Sequence, residues 1–358
     1  MSITHPAGFT AAGVSAALKS TGAKDLALVV NLGPTHDSAS VFTANRCKAN
    51  PVLWSQEVVK DGVVRAVVLN SGGANCYTGP DGFQTTHAVA ERVAERLGIG
   101  AIDVVVCSTG LIGLANPRQN LLDGVDAAHA ALSTEGGPSA AEAIMTTDTV
   151  SKQSLVHGAG WSIGAMAKGA GMLAPQLATM LVVITTDALV SAPDLDQALR
   201  AATRVSFDRL DSDGCMSTND TVTLMASGAS GVTPSIDEFT AALTEVCADL
   251  ARQLLADAEG AEHEITITVL NAATEDDAVE VGRSVARSNL FKAAIFGNDP
   301  NWGRVLAAIG TTDAQFDPYD VDVTMNGVRV CTGGGPDRPR GEVDLTPRAT
   351  HIVIDLRS

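Results

Sequence analysis

The chain has 358 residues, 45% of them hydrophobic and 18% charged, which suits a soluble globular protein of two domains or lobes. Its formal net charge of −17 argues against nucleic acid or an anionic membrane as partner, because phosphate binding needs clustered Lys and Arg. The start, "MSITHPAGFTAAGVSAALKS", lacks a basic region followed by an apolar run, and "TMLVVI" is far shorter than the roughly 20 residues of a membrane span, so a cytoplasmic protein is expected.

"DLALVVNL" and "RAVVLNSG" read as strands, "TTHAVAERVAERLG" as a helix stopped at Gly98, and "DVVVCSTG" as a further strand. The strand "TMLVVITT" comes next, then the helix "APDLDQALRAATRV" with Ser191 as N-cap, and the strand "TVTLMASG". A long helical text then runs from its N-cap Ser235 to a stop at Gly260. "EITITVLNA", the helical "DDAVEVGRSVARSN", and the β-rich "YDVDVTMNGVRVCTGG" and "THIVIDLRS" close the chain. Strands alternating with helices predict an α/β or α+β fold, with sheets layered against helices. There is no internal repeat and no low-complexity segment.

Metal and nucleotide motifs are missing. "DSDGCMSTND" lacks the third acid and distal Glu of a calcium loop, and the seven histidines form no HxxxH or HxH pair. "NSGGAN" and "GAG" do not fit GxGxxG in a strand–turn–helix unit. Cys47, Cys76, Cys107, Cys215, Cys247 and Cys331 include no CxxC and are expected as free thiols. No cofactor and no metal are expected.

One junction needs more than folding rules. The loop "KGAGMLAP" runs through the small residue Ala178 into Thr179, where strand begins without a turn dipeptide. Threonine starts strands well, and that plain reading suffices for most threonines. The other reading is a nucleophile whose hydroxyl attacks the Ala178 carbonyl and cuts the Ala178–Thr179 bond. The freed α-amine, with an unperturbed pKa of about 7.7–8.0, then serves as base for its own hydroxyl. Elsewhere "VVVCSTGLIG" brings Thr109-Gly110 to a strand end, where glycine gives backbone freedom. Standing alone, Lys168 reads as a surface charge, Thr146 as a turn residue and Glu259 as an exposed helix-end acid.

"MAKGAGMLAPQLATMLVVITTDA" resembles the processing site of the ornithine acetyltransferases, or glutamate N-acetyltransferases, of arginine biosynthesis. "PAGFTAAGV", "VFTANRCKANPV", "LNSGGANCYTG", "CSTGLIG", "IMTTDT", "DAEGA" and "FGNDPNWGRVLAAIG" are similar to that family in order and spacing, from Pro6 into the 350s. The resemblance implies a self-processing fold of the N-terminal-threonine-nucleophile type. It implies an α chain of residues 1–178, the N-terminal lobe with the oxyanion hole, and a β chain of residues 179–358 with the nucleophile strand and C-terminal lobe, assembled as a heterotetramer. Thr179 would be the nucleophile, Thr109 and Gly110 the oxyanion hole, and Thr146, Lys168, Thr179 and Glu259 the substrate ligands. An alignment slipped by one would put Thr147 in place of Thr146. Acetyl would pass from N-acetylornithine to Thr179 and on to glutamate by a ping-pong exchange. Some relatives also accept acetyl-CoA, and nothing in the sequence decides this. Family members usually continue past the residue matching Ser358, where an Asn and a terminal Ser or Thr line the pocket, so the expectation is a shortened chain or a pocket closed differently. Two rival readings are a related autoprocessed amidohydrolase or aminopeptidase, and an inactive truncated paralogue kept as a binding or scaffold protein.

Overall fold

The computed structural model describes residues 3–173 and 180–358; the Ala178–Thr179 junction lies outside the described residues. The chain forms two compact units, Met1–Leu210 with Cys215–Glu259, and Asp211–Gly214 with Gly260–Ser358.

In the first unit the strands are β1 (Phe9–Val14), β2 (Leu26–Asn31), β3 (Ser38–Phe42), β4 (Ala66–Asn70), β5 (Val104–Ser108), β6 (Lys152–His157), β7 (Ser162–Lys168), β8 (Leu181–Thr186) and β9 (Thr221–Ala226). Its helices are α1 (Asn50–Val58), α2 (Gly79–Leu97), α3 (Arg118–Ala130), α4 (Gly137–Ala143), α5 (Ala192–Arg204) and α6 (Ile236–Ala256). One sheet has the order β1-β2-β4-β5 and the other β3-β9-β8-β7-β6. The alternation of side chains along each strand sets the layering. Ala27 and Val29 of β2 pack with Leu181 and Val183 of β8 in a core between the two sheets. Leu28 and Val30 turn the other way, onto Val89 and Val93 of α2 and Val125 of α3. Val182 and Ile184 likewise meet Leu199 of α5 and Leu243 of α6. Two sheets are thus stacked face to face and covered outside by helices, which is why the strands are apolar on both faces.

In the second unit, β10 (Glu264–Leu270), α7 (Glu275–Arg287), α8 (Asn289–Phe296), α9 (Trp302–Ile309), β11 (Asp322–Met325), β12 (Val328–Thr332), β13 (Gly335–Pro336) and β14 (Ala349–Asp355) follow in order. The sheet order is β10-β14-β11-β12-β13, with β10 and β14 parallel. Asn326 and Gly327, both at positive φ, make the two-residue hairpin turn between β11 and β12. Val281 and Val285 of α7 and Phe291 of α8 pack on Val323, Ile352 and Ile354 of the sheet.

The mixed α/β architecture with layered sheets and helices agrees with the sequence reading, and every predicted strand and helix is present. Ser191 and Ser235 cap α5 and α6, the latter in a capping box with Glu238, and Gly98 ends α2 at φ +66°. The long helix stops earlier than expected: α6 ends at Ala256, and Gly260 and Glu259 belong to the turn beyond it. Asp257 leaves the helix because its carboxylate is taken by Thr149 and Lys152. β7, "SIGAMAK", gave no strand signal, since Gly and Ala are weak strand formers and only close packing between layers selects them here. The two units do not divide at 178/179: β7 and β8, on either side of that junction, pair antiparallel in one sheet. None of the six cysteines forms a disulfide, and no helix among the described residues is long and apolar enough to cross a membrane.

α6 buries Phe239, Leu243, Val246, Cys247, Leu250 and Leu254 as one stripe, and the Phe239 ring lies 5.6 Å from that of Trp161. Phe239→Ala should lower the stability of this unit by about 3–5 kcal/mol, read as a fall in the urea midpoint followed by tryptophan fluorescence. An unchanged midpoint would mean that α6 does not anchor the outer layer.

Candidate active site

β4 and β5 run parallel, with Asn70 beside Ser108, and the chain leaves β5 as Thr109-Gly110. Thr109 is buried, and its amide donates to Asn70 O at 2.9 Å. Gly110 has φ +125°, and a Cβ there would lie 2.6 Å from Gly72 O and 3.0 Å from Gly73 Cα. Backbone conformation and close approach both require glycine at this position.

Side-chain amides lock the strand ends around it. Asn70 Nδ2 donates to Ser108 Oγ at 2.8 Å, and Asn116 Nδ2 donates to Asn70 Oδ1 and Gly73 O, each at 3.0 Å. From the other sheet, Asn219 Nδ2 donates to Ser108 O at 2.8 Å and Ala74 O at 2.6 Å.

Lys168, the last residue of β7, brings a cation to this point. Its side chain is only 2% exposed, and Nζ donates to Thr109 Oγ1 at 3.2 Å. Burial pushes the Lys168 pKa down to about 8; Asp148, Asp220 and Glu259 work against that fall and Lys152 adds to it. The plain sequence reading of Lys168 as a surface charge is therefore corrected: β7 lies between two neighbouring strands, and its end is enclosed. With Oγ1 accepting from an ammonium, the Thr109 O–H is polarised and left as the donor toward an incoming group.

Asp148 stands beside Lys168, with Oδ2 at 4.0 Å from its Nζ. Oδ2 also accepts from Thr146 N at 2.9 Å and faces Thr146 Oγ1 at 3.4 Å. Oδ1 accepts from Lys152 Nζ and Gly169 N, each at 2.7 Å. Burial opposes the Asp148 charge, but Lys168, Lys152 and the Thr146 amide together hold its pKa below the usual carboxylate value. Lys152, fully buried, reaches on to Asp257 Oδ2 at 2.6 Å. Thr146 thus joins the group around Lys168, whereas Thr147 is exposed.

Glu259 is exposed, and its amide donates to Ala170 O at 2.8 Å, two residues beyond Lys168. A Cβ on Gly171 would lie 3.2 Å from Glu259 Oε2, so the carboxylate sits over that loop. Ala178 and Thr179, the expected cleavage pair and nucleophile, lie outside the described residues, but their flanks are fixed. Leu173 bridges to Met216, and Met180 N donates to Asp220 Oδ1 at 3.1 Å. Burial pushes the Asp220 carboxyl well up, against the opposing bond from the Met180 amide.

Chemically, the described residues offer a hydroxyl donor, a glycine amide at a strand end, and a buried ammonium. Such a set can stabilise a developing oxyanion and hold a carboxylate. Among the described residues no three His, Cys, Asp or Glu side chains are grouped as metal ligands. Sequence reasoning missed Asp148, Lys152 and Asp257 as parts of this group; Asn219 and Asp220 close the stretch "DSDGCMSTND", which the resemblance put near the site without giving them a role. Their burial is the informative property, and no local pattern carries it.

A family profile described as "ArgJ family" matches residues 10–358. An arginine biosynthesis bifunctional protein ArgJ of Streptomyces coelicolor is 63% identical over 356 residues, which are 99% of this chain and 93% of that protein. Its counterpart in Streptomyces avermitilis is 62% identical with the same coverage. A crystal structure of ornithine acetyltransferase complexed with ornithine, from Mycobacterium tuberculosis, is 53% identical over 50% of this chain and 96% of that one, with a TM-score of 0.48.

Gly110→Ala should cost about 1–3 kcal/mol through the positive φ alone, and more through the clash with Gly72 O. A urea midpoint equal to that of the unsubstituted protein would show that this backbone tolerates a side chain.

Proposed function

The chain belongs to the ArgJ family of arginine-biosynthesis bifunctional proteins, and on that premise we propose that it transfers acetyl from N-acetylornithine to glutamate through an acetyl-Thr179 intermediate. The observation that supports this reading is the buried contact between Lys168 Nζ and Thr109 Oγ1 beside the glycine-only backbone of Gly110.

Processing comes first. The Thr179 hydroxyl attacks the Ala178 carbonyl, an ester forms as the peptide nitrogen leaves as the free α-amine, and water cleaves the ester. The products are an α chain of residues 1–178 and a β chain of residues 179–358. They remain associated, since β7 and β8 share a sheet across the cut, and two of each make the heterotetramer.

In turnover the α-amine of Thr179 takes the proton of its own hydroxyl as Oγ attacks the acetyl carbonyl. Thr109 O–H and Gly110 N–H donate to the oxyanion; one such donor is worth about 2.7–4 kcal/mol of barrier. Ornithine leaves as the amine and carries the proton away. Glutamate then attacks the ester and regenerates the hydroxyl. Lys168 takes the substrate α-carboxylate, Thr146 closes beside it, and Glu259 takes the amino group. One amide is exchanged for another, so the balance needs no nucleotide, metal or other cofactor. Acetyl-CoA as a second donor would enter the same acyl-enzyme and is distinguished by release of free thiol. A cytoplasmic location goes with this metabolic role. The hydrolase alternative is less favoured, because the relatives carry the names of a biosynthetic enzyme.

A denaturing mass spectrum should resolve residues 1–178 and 179–358 as separate chains, and Thr179→Ala should remain uncut and inactive. A fully intact yet active protein would contradict the mechanism. Thr109→Ala should keep the fold and lose roughly 10²–10³ in kcat, the scale for one oxyanion donor; an unchanged kcat would move that role elsewhere.

The pH profile follows from the Lys168 value. The ammonium is charged below about 8 and loses its proton above it, so kcat/KM for N-acetylornithine should fall as pH rises through about 8. On the acid side it should fall as the Thr179 amine becomes protonated. An alkaline limb that survives unshifted in Lys168→Met would assign the titration to another group.

A further inference from the structure

Two lysines and two carboxylates are buried together beside Thr109: Lys168, Lys152, Asp148 and Asp257. Asp148 is the hub. Its Oδ1 binds Lys152 and the amide of Gly169, the residue after Lys168, and its Oδ2 binds the Thr146 amide and faces the Lys168 ammonium. Among the described residues, no other side chain touches both Lys168 and Thr146 and the loop that follows β7. We propose that Asp148 is a positioning residue for acetyl transfer, whose carboxylate balances the charge of Lys168, aligns its ammonium on Thr109 and fixes Thr146 at the same time. This rests on the assignment of Lys168 and Thr146 as substrate ligands made above.

The physics is a count of buried charge. Lys168 and Lys152 carry two positive charges, and Asp148 and Asp257 two negative ones. Removing the Asp148 charge leaves two ammonium groups facing one carboxylate that Lys168 does not touch, and the proton on Lys168 becomes harder to keep. Removing Lys152 instead takes away a like charge, so Lys168 should keep its proton to higher pH. The groups acting on Lys168 are Asp148, Lys152, Asp220 and Glu259, while Lys19 also acts on Asp148. Asp220 accepts no hydrogen bond from Lys168 among those described and instead accepts from Met180 N. Asp148 is therefore the near carboxylate.

Opposite signs make the idea testable against simple loosening of the fold. The chain has seven lysines, so Nζ-labelled lysine resolves the titration of Lys168 by NMR directly, with no substrate present. In Asp148→Asn, Lys168 should titrate about one to three pH units lower than in the unsubstituted protein. In Lys152→Met it should titrate higher, and in the double variant close to the original position. In the cleaved enzyme the alkaline limb of kcat/KM should follow in the same directions. An unmoved Lys168 titration in Asp148→Asn, or a downward shift in Lys152→Met, would overturn the proposal. Should Asp148→Asn not fold, Lys152→Met and the double variant still decide it by the same signs. The NMR titration separates the two claims. If it shifts as stated while the kcat/KM limb stays fixed, the role of Lys168 in substrate binding is wrong and the positioning role for acetyl transfer falls with it. If it does not shift, only the role of Asp148 is wrong.

Discussion

Burying a lysine ammonium costs several kcal/mol unless a carboxylate is buried with it, and the first unit buries two of them. The carboxylates come from separate parts of the chain. Asp148 lies in the turn before β6, and Asp257 just beyond α6, 105 residues from the lysine it binds. Satisfying both lysines requires α6 to stop at Ala256, the Thr146 turn to close on Asp148, and β7 to end where Lys168 can reach Thr109. Deleting one member of such a group typically costs about 3–5 kcal/mol, because the remaining charge is stranded. That penalty adds to the apolar packing of α6 on β7, where Ala165 and Ala167 share a core with Leu243, Leu250 and Leu254.

The stacked sheets supply what the charged group lacks, a rigid frame. β5 delivers Thr109 from one sheet and β7 delivers Lys168 from the other, and the core between them is closed by Met166, Leu181, Val183 and Cys107. Asn219 stitches the two sheets at the same level by binding the carbonyls of Ser108 and Ala74. An oxyanion donor must be in place before charge develops, since reorganisation during the reaction would cancel its benefit. For the proposed Thr109 donor, the packed layers and the amide lock meet that demand.

Much of this was readable in the sequence, for physical reasons that differ by element. Val-rich strands such as β4 and β5, and the caps Ser191, Ser235 and Gly98, carry local signals strong enough to survive tertiary context. β1, β3 and β7 carry weak ones, because positions squeezed between layers favour small residues over strand formers. The need for glycine at 110 was legible as a close backbone approach, and the atoms it approaches, Gly72 O and Gly73 Cα, were not. Lys168 looked like a surface charge until burial and a Thr109 partner appeared 59 residues away. Asp148 and Lys152 are ordinary residues in the text "TTDTVSK", and only folding gives them their role. The identity of the nucleophile came from the resemblance and not from the geometry, as Thr179 lies outside the described residues.

Acyl transfer through Thr179 is the centre of the account, and trapping the acyl-enzyme tests it most directly. The purified protein would be mixed with N-acetylornithine without glutamate, quenched in acid, digested and mapped by mass spectrometry. The account predicts a single acetyl group on the peptide that begins at Thr179, lost when glutamate is added before the quench. An unmodified peptide during confirmed turnover, or acetyl on a different side chain, would contradict it.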